Sequence, residues 1–342
     1  MIKNKYYYNR LTTKERNACD KLRIAIEALQ AEIQFDEVLS LEEVENILYA
    51  ISYDWPEYYY FSWAEKILFY SDKTSVILQY HYPIKDIPRR NKMIQSKIQE
   101  SLQKAKEANL TSNFAKSIWI HNHISKLTTY DYDSLEEGIS ERRKSEAHTI
   151  AGVFCRNTAV CEGIAKAYKL LCDCLGVECI LVIGMAGNEP SSVLEKNNHA
   201  WNIIKINGKY GHVDVTWDMC ASRNSHQYCY DYFGVSDKVF SANHSCKGYP
   251  ACVEHGRLTY FEQTGKLFKN PTELKQYIRN EVSGHPSKLY FQLDNTESLT
   301  DKVIEKIKQY IEKQIFEQCE GCKSYQLYMN EELHIFLYII HY

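Results

Sequence analysis

The sequence Ala159-Val160-Cys161-Glu162-Gly163, with Asn198-His199-Ala200-Trp201 and His212-Val213-Asp214-Val215-Thr216-Trp217-Asp218 after it, carries the strongest structural signal in this chain. It places Cys161 at the start of a predicted helix, His199 at the start of a predicted strand, and Asp214 on the strand that returns. A cysteine-based triad needs a thiolate that attacks a carbonyl carbon, an imidazole that moves the proton and a carboxylate that orients the imidazole. We therefore expect these three side chains to meet in space.

The two predicted strands form a hairpin. Residues 200–206 and 210–217 are apolar and β-prone, and Asn207-Gly208 between them is a strong signal for a two-residue turn. This turn predicts that Ile206 pairs with Lys209.

Counting outward from the turn, His199 is expected to pair with Thr216. Asp214 would then lie on the same face as His199, in a diagonal position about 7–8 Å away along the backbone. His212 shares that face and strand with Asp214, so it remains an alternative general base.

Apolar residues recur at helical spacing around the cysteine, at Val160, Ile164, Ala167, Tyr168, Leu171 and Leu175. We expect Asn157 or Thr158 to cap this helix and Gly176 to end it, which puts Cys161 in the first turn. There the unpaired N–H groups and the helix dipole stabilise a thiolate, and the same N–H groups can hold an oxyanion. Ser191 and Ser192 are weaker alternative nucleophiles because no helix start lies beside them.

These residues resemble the transglutaminase-like superfamily, and more narrowly its bacterial members. The resemblance rests on residues 159–168, 199–202 and 213–218, and extends to 130–133, 146–149, 230–233 and His244. It implies an α+β fold with a papain-like transglutaminase core, in which the helix bearing the cysteine packs on an antiparallel sheet.

The resemblance also implies roles: Cys161 as nucleophile, His199 as general base and Asp214 as the residue that orients it, with no cofactor required. Known members include protein cross-linking transferases, peptidases and enzymes that remove glycans from asparagine. In the cross-linking enzymes a tryptophan follows the nucleophile, whereas Glu162 follows Cys161 here, which argues against cross-linking.

Five further residues are expected to line or support the site rather than to react: His148, Glu162, Trp201, Trp217 and Asp218. The favoured reaction is hydrolysis of an amide or peptide bond in a protein or peptide substrate, through a thioester acyl-enzyme. Acyl transfer to an amine and a non-catalytic binding module on the same fold are the alternatives.

The chain of 342 residues is long enough for several cores. We expect an N-terminal α+β unit over residues 1–110, the catalytic core over 111–263 and a small C-terminal α/β appendage over 264–342. The first unit is expected to brace the core, with substrate or partner binding as the alternative.

The pattern predicts further elements outside the helix that bears Cys161 and the hairpin. Helices are expected over 12–32, 41–51, 90–107, 112–127, 271–282 and 298–316, and strands over 58–63, 66–70, 75–82, 258–261, 266–268, 288–293, 324–329 and 333–341.

Charge and cysteine content limit the partners. The net charge of −3 gives no general attraction to nucleic acid or to an anionic membrane. No segment is long and apolar enough to span a bilayer. The first residues lack the apolar core of a signal peptide, and twelve cysteines suit a reducing compartment, so we predict a cytoplasmic protein. Export, with the signal absent from this chain, is the alternative.

Two cysteine groupings are weak metal signals. Cys319-Glu320-Gly321-Cys322 lacks the second pair that a zinc ribbon needs. The other grouping is irregularly spaced and consists of Cys220, Cys229, Cys246 and Cys252 with His226 and His244. We predict no metal site, and a metal-stabilised second grouping is the alternative.

Overall fold

The computed structural model describes residues 4–136, 138–187, 197–225, 227–253, 258–294 and 299–342. The fold is α+β and contains antiparallel sheets, as expected from the sequence. No helix within these described ranges is both long and apolar enough to cross a bilayer.

The first part of the chain combines four helices with a three-stranded antiparallel sheet of order β1-β3-β2. Its elements are α1 (Tyr6–Arg10), α2 (Thr13–Glu27), β1 (Glu32–Phe35), α3 (Leu41–Asp54), β2 (Phe61–Phe69), β3 (Thr74–Tyr80) and α4 (Ile87–Glu107). The helix expected over 12–32 is too long, because Leu29 adopts a positive φ of 53° and the chain then enters β1. Ser40 and Glu43 form a capping box at the start of α3.

The middle part is built around a five-stranded antiparallel sheet of order β10-β6-β7-β8-β9. Its elements are α5 (Asn113–Leu127), β4 (Thr129–Tyr130), α6 (Glu141–Ala147), β5 (Thr158–Ala159), α7 (Cys161–Leu175), β6 (Glu178–Ala186), β7 (Asn197–Ile206), β8 (Lys209–Val213), α8 (Val215–Ser225), β9 (Phe233–Val235), α9 (Asp237–Phe240) and β10 (His244–Ser245). Helix α7 packs on β6 and β7, so the helix that bears Cys161 lies on the sheet as expected.

The last part forms a four-stranded sheet of order β11-β12-β14-β13 with two long helices. Its elements are α10 (Tyr260–Gln263), β11 (Leu267–Phe268), α11 (Pro271–Val282), β12 (Lys288–Leu293), α12 (Asp301–Gln318), β13 (Ser324–Asn330) and β14 (Ile335–His341). The strand expected over 258–261 is wrong, because Thr259 and Glu262 form a capping box that starts α10.

Hydrophobic packing links the first two parts. One continuous buried cluster joins residues such as Ile47 and Phe61 with Tyr168 and Ile204. A second cluster is contained in the last part, around Phe291 and Ile311. The domain boundaries after residues 110 and 263 stay a prediction.

The β7–β8 hairpin begins as predicted and then departs from the prediction. Ile206 pairs with Lys209, and Asn207 and Gly208 both have positive φ, as the two-residue turn requires. The pairing of His199 with Thr216 is wrong, because β8 ends at Val213.

A helix replaces the end of that predicted strand. Asp214 accepts a hydrogen bond at Oδ1 from the backbone N–H of Trp217 (3.1 Å), which is an N-cap contact, and α8 begins at Val215. His199 pairs instead with Gly184 on the other neighbouring strand, β6.

Candidate active site

Cys161 is the first residue of α7. The N-cap is Val160 rather than Asn157 or Thr158, and within the described chain no side chain caps this helix. Asn157 has a positive φ of 59° and its amide donates to the carbonyl of Leu127 instead. The N–H groups of the first turn are therefore not occupied by a capping side chain, which leaves them available to an anion. Gly176 ends the helix with a φ of 75°, as predicted.

Gly163 allows this helix start to fit against the preceding segment. A Cβ at this position would lie 2.3 Å from the carbonyl oxygen of Ala147 and 2.9 Å from that of Thr149. These distances are shorter than a carbon–oxygen contact permits, so only glycine lets the first turn of α7 approach this backbone.

The three residues expected to form a triad come together. The Nε2 atom of His199 lies 2.6 Å from Oδ2 of Asp214, and the side chain of Cys161 is a further hydrogen-bond partner of His199. Burial alone would lower the pKa of His199, but the charge and hydrogen bond of Asp214, and then those of Cys161, raise it to about 10. Such an imidazole is readily held as the cation beside a thiolate.

Asp214 is fully buried at the junction of β8 and α8. Burial raises the pKa of a carboxyl group, yet His199 and His244 hold the pKa of Asp214 well below its usual range. Its Oδ2 faces His199 and also His244, whose Nε2 lies 3.1 Å away, while its Oδ1 faces the N–H of Trp217. The carboxylate is therefore ionised and fixed by three donors.

His212, the alternative base, is engaged elsewhere. Its Nδ1 accepts a hydrogen bond from the indole N–H of Trp201 (3.0 Å), and its Nε2 lies 2.9 Å from Oδ1 of Asp237. Its ring stacks on Phe240 with centroids 4.2 Å apart. Burial is the main cause of a lowered pKa for His212. These contacts favour a structural role over one as general base.

The two tryptophans expected to support the site surround the imidazoles. The Trp201 ring lies 5.8 Å from that of His199, and the Trp217 ring lies 4.4 Å from that of His244, between centroids. These rings shield the hydrogen bonds of Asp214 from water. The lower local polarity strengthens those hydrogen bonds.

Asp218 lies behind the site, on α8. Its carboxylate bonds Nε2 of His121 (2.9 Å) and the N–H of Tyr232 (3.0 Å), and it is fully buried. Burial raises the pKa of Asp218 to about 7, although the hydrogen bond and charge of His121 oppose that rise. Its contacts tie α8 to α5 and to the segment before β9, which fits support of the site.

His148 and Glu162 form a charged group beside the nucleophile. Nζ of Lys166 lies 2.7 Å from Oε1 of Glu162, and Nδ1 of His148 lies 3.0 Å from Oε2 of Glu162. Burial alone would raise the pKa of Glu162, but Lys166 and His148 lower it to about 2. The anionic side chain next to Cys161 is therefore already neutralised.

This charged group borders a cavity of about 400 Å³ between the first part of the chain and α7. Its walls include Tyr53, Trp63, His81, His148, Glu162 and Lys166. Tyr53 also packs in a small apolar cluster with Cys161. The cavity therefore lies close to the nucleophile, and a substrate-binding role for His148 and Glu162 stays a prediction.

His244 was not predicted as a site residue. It belongs to the residues of the family resemblance and to an irregular cysteine grouping, but no spacing rule connects residue 244 with residue 214. It reaches Asp214 because β10 pairs with β6, which is a long-range contact.

Two groups of potential metal ligands occur among the described residues: His199, Asp214 and His244, and His212, Asp237 and Cys252. In the second group, the N–H of Trp201 occupies Nδ1 of His212, which leaves the ring proton on Nε2, where it is donated to Asp237. Hydrogen bonding thus accounts for this group. Only Cys252 of the predicted cysteine grouping belongs to it, while His226, Ser191 and Ser192 lie outside the described residues.

Comparisons with known proteins find similarity over part of the chain. Residues 100–215 match the family model described as the transglutaminase-like superfamily. Kyphoscoliosis peptidase from Mus musculus is 24% identical over 180 residues, and that from Homo sapiens is 25% identical over 182 residues. These matches cover 49% and 51% of this chain. They cover 25% and 24% of the relatives, so the chain spans about a quarter of their length.

Two solved structures are also similar to parts of the chain. One is described as a TGase, with a TM-score of 0.30, 14% identity, and coverage of 54% of this chain and 50% of that one. The other is described as a putative cysteine protease from Cytophaga hutchinsonii, with a TM-score of 0.26, 13% identity, and coverage of 42% and 51%. The matched residues 100–215 contain Cys161, His199 and Asp214, and the chain carries a transglutaminase-like superfamily domain.

Proposed function

We propose that this protein is a cysteine-dependent hydrolase that cleaves an amide or peptide bond in a protein or peptide substrate. The observation that carries the proposal is the position of His199, whose ring bonds Asp214 and also interacts with Cys161. The similarity to proteins named as peptidases favours hydrolysis over other reactions of the superfamily.

The first half of the reaction forms a thioester. The thiol proton of Cys161 passes to His199, and the sulfur attacks the carbonyl carbon of the substrate. The carbonyl oxygen becomes an oxyanion, which the free N–H groups in the first turn of α7 stabilise. The intermediate collapses as the bond to nitrogen breaks, and His199 gives its proton to the leaving amine.

The second half releases the product. A water molecule attacks the thioester carbon, and His199 takes its proton. The carbon–sulfur bond then breaks, a carboxylic acid leaves, and the sulfur of Cys161 recovers its proton. Asp214 stays ionised throughout and stabilises the imidazolium form of His199 in both halves.

The cavity beside α7 supports a role for the first part of the chain in binding substrate. Its walls combine Tyr53 and Trp63 with charges that are already paired, Glu162 with Lys166. A side chain of the substrate that entered here would meet aromatic rings rather than a free charge.

A mixed peptide library tests the proposal. The wild type and Cys161→Ala are incubated with the library, and cleaved peptides are identified by mass spectrometry. We expect the variant to lose every cleavage that the wild type makes. Identical cleavage profiles would refute the mechanism.

Acyl transfer to an amine uses the same triad, and a second assay distinguishes it from hydrolysis. A glutamine-containing peptide is incubated with a labelled primary amine, and incorporation of the label is compared with release of free acid. We expect free acid to dominate, since Glu162 replaces the tryptophan that follows the nucleophile in cross-linking enzymes.

The non-catalytic alternative is tested by the reactivity of the thiol towards iodoacetamide. The tryptic peptide 157–166 contains Cys161 as its single cysteine, and the preceding peptide 145–156 contains Cys155, which is exposed. A catalytic thiol paired with His199 should be alkylated much faster than Cys155 near neutral pH. Equal rates would favour a binding module.

A further inference from the structure

One oxygen of Asp214 faces two histidines. Its Oδ2 lies 2.6 Å from Nε2 of His199 and 3.1 Å from Nε2 of His244. Because the carboxylate is ionised it can only accept, so both ring nitrogens carry protons and both rings donate to the same oxygen. His199 and His244 therefore share the charge of one carboxylate.

His244 is held firmly in this orientation. It is 1% exposed, its ring stacks on Phe240 with centroids 3.8 Å apart, and its Nδ1 lies 2.6 Å from Oδ1 of Asn243. The amide of Asn243 is fixed in turn by a hydrogen bond to the hydroxyl of Tyr232 (3.0 Å). A ring fixed by stacking and by contacts at both nitrogens is suited to hold its partner in place.

The sheet brings His244 to this place through a close backbone approach. Strand β10 pairs with the end of β6, opposite the His199 side of that strand. A Cβ at Gly184 would lie 2.4 Å from the carbonyl oxygen of Ser245 and 2.5 Å from the ring of Trp201. Glycine at residue 184 thus permits β10 to lie beside the strand that pairs with His199.

We propose that His244 is a positioning residue, which donates to Oδ2 of Asp214, fixes the rotamer of that carboxylate and so orients the imidazole of His199 towards Cys161. The inference deepens the proposed hydrolase function and rests on it. His244 acts through Asp214 and takes no part in bond making.

Two polar substitutions of His244 distinguish a role as hydrogen-bond donor to Asp214 from a role in packing. In His244→Gln the amide nitrogen reaches the position of Nε2 and keeps the donor to Asp214, whereas in His244→Asn it reaches that of Nδ1 and loses it. The rate of alkylation of Cys161 by iodoacetamide is measured from pH 5 to 10, with Cys155 as internal reference. We expect His244→Asn to be slowed about tenfold and His244→Gln by less than about threefold.

The same comparison is repeated with Asp214→Asn as the background. If His244 acts through Asp214, His244→Asn should add less than about a twofold loss there. An equal loss in both backgrounds, or equal rates for the Gln and Asn variants, would overturn the proposal. Thermal unfolding of each variant shows whether it is folded at the assay temperature.

Titratable groups face His244 from several elements of the fold. They are His199 on β7, His212 on β8, Asp214 before α8 and Tyr232 before β9. The whole pH profile, rather than one rate, is therefore compared between variants.

A spectroscopic signal separates this proposal from the proposed function. The proton in the 2.6 Å bond between His199 and Asp214 should give a low-field NMR resonance. We expect His244→Asn to shift that resonance and His244→Gln to leave it nearly in place, because only the Asn variant stops sharing the acceptor oxygen. A resonance that is the same in all three proteins contradicts the role of His244. The two proposals can also fail separately. If the resonance shifts in His244→Asn but Cys161 of the wild type is alkylated no faster than Cys155, the proposed hydrolase function is refuted while the contact between His244 and Asp214 is supported.

Discussion

The β7–β8 hairpin carries two buried histidines that each bond a carboxylate through Nε2, and the two pairs differ in what surrounds them. His199 lies 2.6 Å from a fully buried Asp214, while His212 lies 2.9 Å from Asp237, whose side chain is half exposed. The side chain of Cys161 is a further hydrogen-bond partner of His199, whereas Nδ1 of His212 accepts a hydrogen bond from the indole N–H of Trp201.

The electrostatic outcomes are opposite. Burial lowers the pKa of both rings, but only at His199 do Asp214 and Cys161 outweigh burial and raise the pKa, to about 10. A hydrogen bond between histidine and aspartate therefore does not identify a reactive site. The two pairs differ in the further partner of the ring and in the burial of the carboxylate, and these differences set the direction of each pKa shift.

The largest expected difference comes from replacing each ring. His199→Gln should slow the alkylation of Cys161 near neutral pH by about 10²–10⁴-fold, because no imidazole remains to take the thiol proton. His212→Gln should change that rate by less than about threefold, since its ring contacts Trp201 and Asp237. Rates are read from the peptides 157–166 and 145–156. A larger loss in the His212 variant would make that residue the base.

Replacing each carboxylate should give a smaller difference. Asp214→Asn is expected to slow alkylation of Cys161 by about 10–100-fold, whereas Asp237→Asn should leave it within about twofold. Removal of the charge of Asp214 lowers the pKa of His199 from about 10, so the alkaline limb of the pH–rate profile should move to lower pH. If the limb stays in place in Asp214→Asn, His199 does not depend on this carboxylate.

The two histidines should also make stability depend on pH in opposite directions. The raised pKa of His199 gives stability that is full below about pH 6.5 and is lost as pH rises towards 10. The lowered pKa of His212 gives stability that is present above about pH 6.5 and is lost on acidification. Urea unfolding of wild type, His199→Gln and His212→Gln at pH 5, 7 and 9.5 measures this. Between pH 5 and 9.5, we expect the changes in the free energy of unfolding of the two variants to differ by about 1–2 kcal/mol. Parallel curves of unfolding free energy against pH would contradict the opposite directions of the two pKa shifts.

The smallest expected effect concerns the tautomer of His212. Trp201→Phe keeps an aromatic ring but removes the N–H that Nδ1 of His212 accepts. It should lower the free energy of unfolding by about 1 kcal/mol and change alkylation of Cys161 by less than about threefold. Trp119→Phe, at a ring that stacks on His123 away from the site, is the matched control. A tenfold loss of Cys161 reactivity in Trp201→Phe would mean that His212 is coupled to the chemistry.

Much of the site could be anticipated because its signals are local. The position of Cys161 in the first turn of α7, the turn at Asn207-Gly208 and the stop at Gly176 follow from residue type and spacing over a few positions. The prediction failed where local signals competed: the β-prone residues after Val213 form a helix, since Asp214 caps it. The expected pairing of His199 with Thr216 failed for that reason, although His199 and Asp214 still meet.

Neighbouring residues in the sequence specify the helix that presents Cys161 and the hairpin that carries His199, because short-range periodicity, turn chemistry and capping are local. The order of the three site residues is likewise read directly from the sequence. Other contacts depend on the tertiary structure. Two imidazoles bond the carboxylate of Asp214, and the indole N–H of Trp201 donates to Nδ1 of His212. Tyr53 and Trp63 line the cavity beside α7. Those contacts join residues far apart in the chain, and burial and charge, which set the protonation of each histidine, arise only when these segments pack together.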